Sequence, residues 1–402
     1  MKRISLEDAQ RLIFESQTVV EAEECPVMQG AGRILAGDLT AAIMQPPFAR
    51  SAMDGYALKR ADIARADREH PVQLSVVYKS CAGDRPGRTI QNGEAVRIMT
   101  GAIIPQGADC VIRQEETDYG EDTVQIYESA ESGQNCCKAG EDFMPGDVLA
   151  SAGERADAYT VAAAAAAGKT TLCVRRRLKA ALITTGEELC ELGSPLKPGK
   201  IYNSNCTYLQ ARLMSYGCDL TFVRTIGDDT DAIAKAVQEA GRIADFVITT
   251  GGVSVGQKDL IPHVMEQLGA TILFRGVAVK PGMPSLCAMF GTVPVLCLSG
   301  NPYSAFSIFE LLIRPLMAGL LGAKEYRYLR VKAVTASDFA KSSACRRLLR
   351  GFYDGEKVYL SRKQQNGQLT GGIGTNCLAD IPAGSGPVYA GMPVEIILIG
   401  MQ

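Results

Sequence analysis

Histidine is almost missing from this chain, with two in 402 residues. Zinc hydrolases and Ser-His-Asp machines need imidazole at defined places, so neither chemistry is the main one here. His70 precedes Pro71 and His263 lies in a helix-patterned stretch, and both read as surface or packing residues. Catalysis, if present, rests on carboxylates, lysine and backbone amides. A charge excess is missing too. Lys plus Arg number 42 against 44 Asp plus Glu, leaving a net charge of −2. No bulk field would hold nucleic acid or an anionic membrane, so an anion must be caught locally.

Paired cysteine motifs are likewise lacking. Thirteen cysteines are scattered without a Cys-x-x-Cys spacing, which predicts buried free thiols in a reducing cytosol rather than a zinc ribbon or a disulfide framework. The vicinal Cys136 and Cys137 read as incidental. No uncharged apolar run reaches the roughly 18 residues that span a bilayer. The Met-Lys-Arg start runs directly into Ser5-Leu6-Glu7-Asp8, without the apolar segment of a secretory signal. These features predict a cytoplasmic protein with neither a membrane nor a nucleic acid as partner.

What is present is ordinary globular material, 47% hydrophobic and 21% charged, enough for two to three domains at about 150 residues each. Residues 5 to 16 read as a helix with Ser5 as N-cap and Leu6, Ala9, Leu12 and Ile13 on one face. A break follows at Pro46-Pro47. Short β-type runs at 73–78, 95–99, 110–114 and 123–127, separated by Gly, Pro, Asn and Asp, predict a small inserted β domain. The Ala-rich stretch 154–167 predicts a helix closed by Gly168, with small residues that suit close packing against a partner subunit. From residue 178 to about 322, strands at 180–184, 220–225, 246–249 and 293–298 alternate with helices at 204–216, 231–242, 260–268 and 302–317. That alternation predicts βαβ units and a mostly parallel sheet. Beyond Gly322 the texture is β again, at 328–334, 357–360 and 394–399, and predicts a small barrel or sandwich.

In an open parallel sheet, ligands bind outside the carboxyl ends of the strands. Those ends carry Thr184-Thr185-Gly186-Glu187-Glu188, Gly227-Asp228-Asp229, Thr249-Thr250-Gly251-Gly252-Val253-Ser254-Val255-Gly256 and Ser299-Gly300-Asn301-Pro302, with Lys280-Pro281-Gly282 between the last two. Glycines and hydroxyls there let bare amides approach an anion at a helix N-terminus, which reads as a phosphate pocket. Glu187, Glu188, Asp228, Asp229 and Asp259 would repel a phosphate unless a cation lay between, and oxygen-only ligands beside phosphate suggest Mg²⁺. Lys280 supplies a fixed positive charge.

A second signal lies upstream, in Ser51-Ala52-Met53-Asp54-Gly55-Tyr56-Ala57 and in Arg97 to Ala102. With Pro105, Gly107-Ala108-Asp109, Gly140-Glu141-Asp142, the 185–189 motif, Gly251 to Gly256 with Asp259, Lys280-Pro281-Gly282, and Gly300-Asn301-Pro302 with Ser304, the chain resembles the molybdopterin molybdenumtransferases of the MoeA family. The gephyrin C-terminal domain and the plant Cnx1 E domain belong to the same family. The motifs run in order from about residue 30 to 320 and thin out beyond.

The resemblance implies a multidomain α/β plus β protein. Its parts would be an elongated helical linking and dimerisation region at 1–45 and 141–177, an inserted β domain at 46–140, a molybdopterin-binding α/β domain at 178–324 and a C-terminal β barrel at 325–402. It implies a homodimeric transferase of molybdenum cofactor biosynthesis that inserts molybdenum from molybdate into adenylylated molybdopterin with Mg²⁺-dependent release of AMP. From their place at the strand ends, Glu188, Asp228 and Asp259 would hold the metal and be catalytic together with Lys280, and the resemblance implies that Asp54 joins them as a catalytic residue from across the dimer. Substrate would meet Thr100, Gly101, Asp142, Thr185, Gly186, Gly251, Gly252, Ser254, Pro281, Gly282, Gly300, Asn301, Pro302 and Ser304. A molybdopterin adenylyltransferase and a molybdoenzyme or cofactor-maturation acceptor are the implied partners.

The chain departs from the family where a second lysine is usual, since Met283 follows Gly282, and where Pro-Gly-Asn-Pro becomes Ser299-Gly300-Asn301-Pro302. The family's spaced C-terminal arginines appear as Arg346, Arg347 and Arg350 at shifted spacing. Loss of a cation predicts a weakened or altered oxyanion site. A tungstate-inserting variant is therefore one alternative, and a non-catalytic molybdopterin-binding scaffold another.

Overall fold

The computed structural model describes residues 3–85, 87–253, 260–325 and 328–399. Two compact units divide the chain: Met1–Glu23, Gly153–Arg155 and Cys173–Gln402 form one, Glu24–Ala152 and Ala156–Leu172 the other.

In the smaller unit a five-stranded sheet runs in the order Cys110–Arg113, Gly55–Leu58, Glu94–Ile98, Val72–Ser80, Thr123–Ile126. Sequence texture anticipates four of these strands. The Gly55–Leu58 strand, second in that order, reads instead as a turn because Asp54-Gly55 is a turn-forming pair and the strand has no alternation. All four of its residues are buried. Tyr56 and Leu58 enter one apolar cluster with Ile63, Leu74 and Ile112, and Ala57 enters another with Val96, Ile98 and Val111. Opposite faces of one strand thus feed two cores, as the period of two dictates. The Ala-rich helix spans Ala158–Ala166, starting later than expected because the Asp157 carboxylate accepts from the Thr160 amide and sets the N-cap there. Gly168 follows it at a φ of 73°.

In the larger unit a six-stranded sheet has the order Asp219–Ile226, Lys179–Thr185, Phe246–Thr250, Val293–Leu298, Leu286–Phe290, Thr271–Arg275. The first four are parallel, and the last two are antiparallel additions at one edge that the βαβ reading does not anticipate. Ser5 caps the Leu6–Glu15 helix by accepting from the Asp8 amide, and Leu6, Ala9 and Ile13 are buried. The helical run Pro302–Leu320 is long and apolar enough to cross a membrane by length and composition, yet 89% of its window is buried inside the fold, as a core helix requires. It widens to a π-helical turn at Phe309–Ile313.

The C-terminal sheet is ordered Val279–Lys280, Arg346–Tyr353, Lys357–Leu360, Arg330–Thr335, Pro393–Leu398, Cys377–Ile381, and closes through pairing of Arg346–Tyr353 with Cys377–Ile381. Closure removes the open edges of those strands. Arg346, Arg347 and Arg350 interrupt the apolar run of the Arg346–Tyr353 strand, which hides it from pattern reading.

Candidate functional site

The parallel strands of the larger unit end where the hydroxyl- and glycine-rich motifs stand. Thr184 and Thr225, paired in register on adjacent strands, lie with their hydroxyls 3.0 Å apart, and the Asn203 side-chain amide donates to both at 2.7 and 3.0 Å. The same side chain caps the Ser204–Ser215 helix by accepting from the Cys206 amide. One asparagine therefore joins two strand ends to a helix start. Thr185 donates to the Thr250 carbonyl at 3.3 Å. Gly251, at a φ of 99°, packs so tightly that a Cβ would stand 2.4 Å from the Thr185 carbonyl oxygen, and Gly252 follows at 64°. A Cβ on Gly300 would lie 3.7 Å from the Gly251 Cα, so these two glycine turns adjoin. Glycine is required here by close backbone approach.

The acidic residues distribute unevenly along this edge. Asp229 is occupied as N-cap of the Thr230–Gly241 helix, accepting from the amides of Asp231 and Ala232. Glu187 accepts from the Asp228 amide at 3.3 Å. Glu188 folds over Gly186, its carboxylate 2.5 Å from where a Cβ would sit on that residue. Neither Glu188 nor Asp228 forms an ion pair among the described residues, and both are exposed. Two uncompensated carboxylates suit a hydrated Mg²⁺, which binds through one or two carboxylates plus substrate phosphates. Asp259, the expected third ligand, and Ser254 lie outside the described residues, and among those described no group of three potential ligands assembles.

Lys280 is placed differently from the expectation. Val279–Lys280 pairs in parallel with Arg346 and Arg347 of the barrel rather than ending a strand of the parallel sheet. Pro281 has no N–H to extend that ladder, so the pairing stops at Lys280. Lys280 is exposed, Pro281 and Gly282 are buried, and a Cβ on Gly282 would meet Ile308 of the core helix at 2.4 Å. Asn301 begins that helix, Ser304 is buried, and Pro302 occupies its first turn. The Tyr303 amide is taken by the carbonyl of Asn366 at 2.9 Å. Met283 lies in the turn that returns its carbonyl to the Val277 amide.

In the smaller unit the Asp54 carboxylate accepts from both the Thr100 amide and the Thr100 hydroxyl, each at 2.7 Å. These two bonds, the amide's first, hold the carboxyl below its ordinary range despite some burial. Gly101, at a φ of 83°, donates to the Ser51 carbonyl, and Ser51 donates its hydroxyl to the Met53 carbonyl, which fixes the loop that presents Asp54. Asp142 is exposed and its amide bonds the Gln45 carbonyl. Both histidines are exposed, His70 beside Asp67 and His263 beside Glu266. Asn203 and Asn205 escape sequence reading because they stand at a helix start rather than in a strand-end motif.

The chain matches three family profiles in order: the "MoeA N-terminal region (domain I and II)" over residues 4–168, a "Probable molybdopterin binding domain" over 181–319, and the "MoeA C-terminal region (domain IV)" over 332–399. It is 33% identical to a molybdopterin molybdenumtransferase of Bacillus subtilis, covering 98% of this chain and 94% of the relative. Identity is also 33% to the enzyme of the same name from Staphylococcus epidermidis, over 98% and 95% of the two chains. Two crystal structures of a molybdopterin biosynthesis MoeA protein from Pyrococcus horikoshii superpose at TM-scores of 0.82 and 0.86. Their identities are 31% and 28%, and each covers 99% of this chain, with 99% and 100% of the respective partner chain covered.

Proposed function

The chain belongs to the MoeA family of molybdopterin molybdenumtransferases, and from that premise we propose that it works in molybdenum cofactor biosynthesis as the transferase that places molybdenum on molybdopterin. The observation that carries the site assignment is the convergence of Gly186, Gly251 and Gly300 turns with Glu188 and Asp228 at one end of a parallel sheet.

The finer chemistry follows from the residue types. The pterin arrives adenylylated, and water attacks its phosphoanhydride, leaving AMP and the pterin's own phosphate as the two products. Mg²⁺ held by Glu188 and Asp228, with Asp259, would supply positive charge to that anhydride. Thr185 and the Gly251-Gly252 turn present bare backbone to the phosphates and exclude bulk. Lys280 offsets negative charge that grows on the leaving phosphate, and Asp54, kept ionised by Thr100, acts on the reacting centre from the other unit of a second copy in a homodimer. Thr100, Gly101 and Asp142 would line its side. Ser304, Pro281 and Gly282 flank the position of molybdate. A molybdopterin adenylyltransferase supplies the substrate, and a molybdoenzyme or maturation partner takes the product. Thirteen cysteines without a disulfide support a cytoplasmic setting.

The test is AMP release from adenylylated molybdopterin with Mg²⁺, titrating molybdate and tungstate separately. Oxyanion-dependent release is expected, and Asp54→Asn should lower it about a hundredfold. Weakened molybdate binding would follow from Met283 in place of a lysine, and release that depends on tungstate alone would establish the tungstate-inserting variant. Pterin binding without any release would instead establish a scaffold.

A further inference from the structure

Asn205 is the second residue of the Ser204–Ser215 helix and only 8% exposed. Its Nδ2 donates to the Gly300 carbonyl at 2.7 Å, which fixes which way the amide faces. Its Oδ1 is buried and has no hydrogen-bond partner among the described residues. Buried acceptors are nearly always satisfied by protein, water or ligand, so this orphan beside the Gly300 turn marks a place for a donor from outside the chain.

The surroundings say what kind of ligand atom belongs there. A trans peptide points its C=O and N–H in opposite directions. With the Gly300 carbonyl held by Asn205, the Asn301 amide faces away and finds the Ser299 hydroxyl at 3.4 Å. Pro302 has no amide hydrogen, and that of Tyr303 is consumed by Asn366. The Asn301 and Tyr303 amides are thus taken, while Asn205 presents a bare acceptor that would repel phosphate oxygens. Gly300 in turn abuts Gly251, so the subsite adjoins the phosphate-type turn without repeating its chemistry.

We infer that Asn205 is a specificity residue: its Nδ2 orients the Gly300–Asn301 peptide and its Oδ1 accepts a hydrogen bond from a neutral N–H or O–H donor of the substrate, not from its phosphates. The inference rests on the transferase reading of the same site. The donor is either an amine or amide of the pterin or a hydroxyl or amine of the adenosine half, and the experiment separates them.

Equilibrium binding of the full chain to molybdopterin, to AMP and to inorganic phosphate is measured for the wild type, Asn205→Leu and Asn205→Asp, with Tm recorded for each. Asn205→Leu should lose at least tenfold in affinity for one of the two donor-bearing ligands, while phosphate binding changes less than twofold; the ligand affected names the half of the substrate that is read. Asn205→Asp keeps an acceptor in place but loses the Nδ2 donor to the Gly300 carbonyl, so it should weaken that ligand clearly less than Asn205→Leu does, while weakening phosphate by added charge. Undiminished binding in Asn205→Leu, an equal loss of phosphate, or an Asn205→Asp loss as large as that of Asn205→Leu would each overturn the inference. If Asn205→Leu does not fold, the smaller Asn205→Ala, which also lacks the acceptor, takes its place in the same comparison. A wild-type protein that binds neither molybdopterin nor AMP would sink the transferase reading first, and the inference with it.

Discussion

At the scale of single residues, the hydrogen bonds around Asp54 carry the sharpest consequence. Two donors from Thr100 stabilise the charged carboxylate, so removing one raises its pKa. Thr100→Ala should therefore move the acid limb of the pH–rate profile for AMP release to higher pH, while the retained amide keeps the shift partial. An unmoved limb would mean that Asp54 does not control the profile. Gly55, beside it, answers to sterics instead. A Cβ there would lie 1.9 Å from the Ile112 carbonyl oxygen on the neighbouring strand, in a backbone pair that cannot give way without breaking its ladder. Gly55→Ala should cost about 4 kcal/mol or more, read as a fall in the urea midpoint. The turn propensity of Asp54-Gly55 was legible in sequence, but the reason for glycine was not, since it depends on a carbonyl more than fifty residues away.

At the scale of elements, capping distinguishes acidic residues that look alike in sequence. Asp228 and Asp229 are neighbours at a strand end, yet only Asp229 satisfies the first-turn amides of the Thr230–Gly241 helix. Asp229→Ala should lower stability by about 1 kcal/mol in denaturant unfolding. No loss would mean that water replaces the cap without cost. The core helical run shows the converse case, a charge placed where pattern predicts none. Glu310, 1% exposed, accepts from Arg212 and from the Tyr328 hydroxyl at 2.7 Å within the π-helical turn. Burial of a carboxylate is tolerated only with such partners. The parallel strands and their helices were legible because their apolar runs are bounded by Gly, Asp and Ser. The antiparallel edge strands and the Arg346–Tyr353 strand were not, because a short apolar run or an arginine-broken one has no period to read.

At the scale of the whole molecule, cysteine chemistry follows from burial. No disulfide joins the cysteines, and burial pushes the thiols of Cys110, Cys218, Cys297 and Cys377 up to about 12. For Cys110 and Cys218, nearby carboxylates add to the effect of burial. Such thiols stay protonated and unreactive at neutral pH. Alkylation of the denatured, unreduced protein should add thirteen adducts by mass, matching the thirteen cysteines of the chain, and native protein should react far more slowly at the seven buried ones. A mass short by two adducts would reveal a disulfide.

Local chemistry alone determined a good part of this protein. Scarce histidine, balanced charge and the lack of a Cys-x-x-Cys spacing narrowed its chemistry, and the strand-end motifs located the glycine- and hydroxyl-rich edge of the parallel sheet, because turn glycines and helix caps act within a few residues. Tertiary structure decided the rest. It set Lys280 beside the barrel arginines, gave the Tyr303 amide to Asn366, and brought Asn205 to Gly300, ninety-five positions along the chain. Those outcomes depend on which distant backbone groups meet, and no local pattern records that.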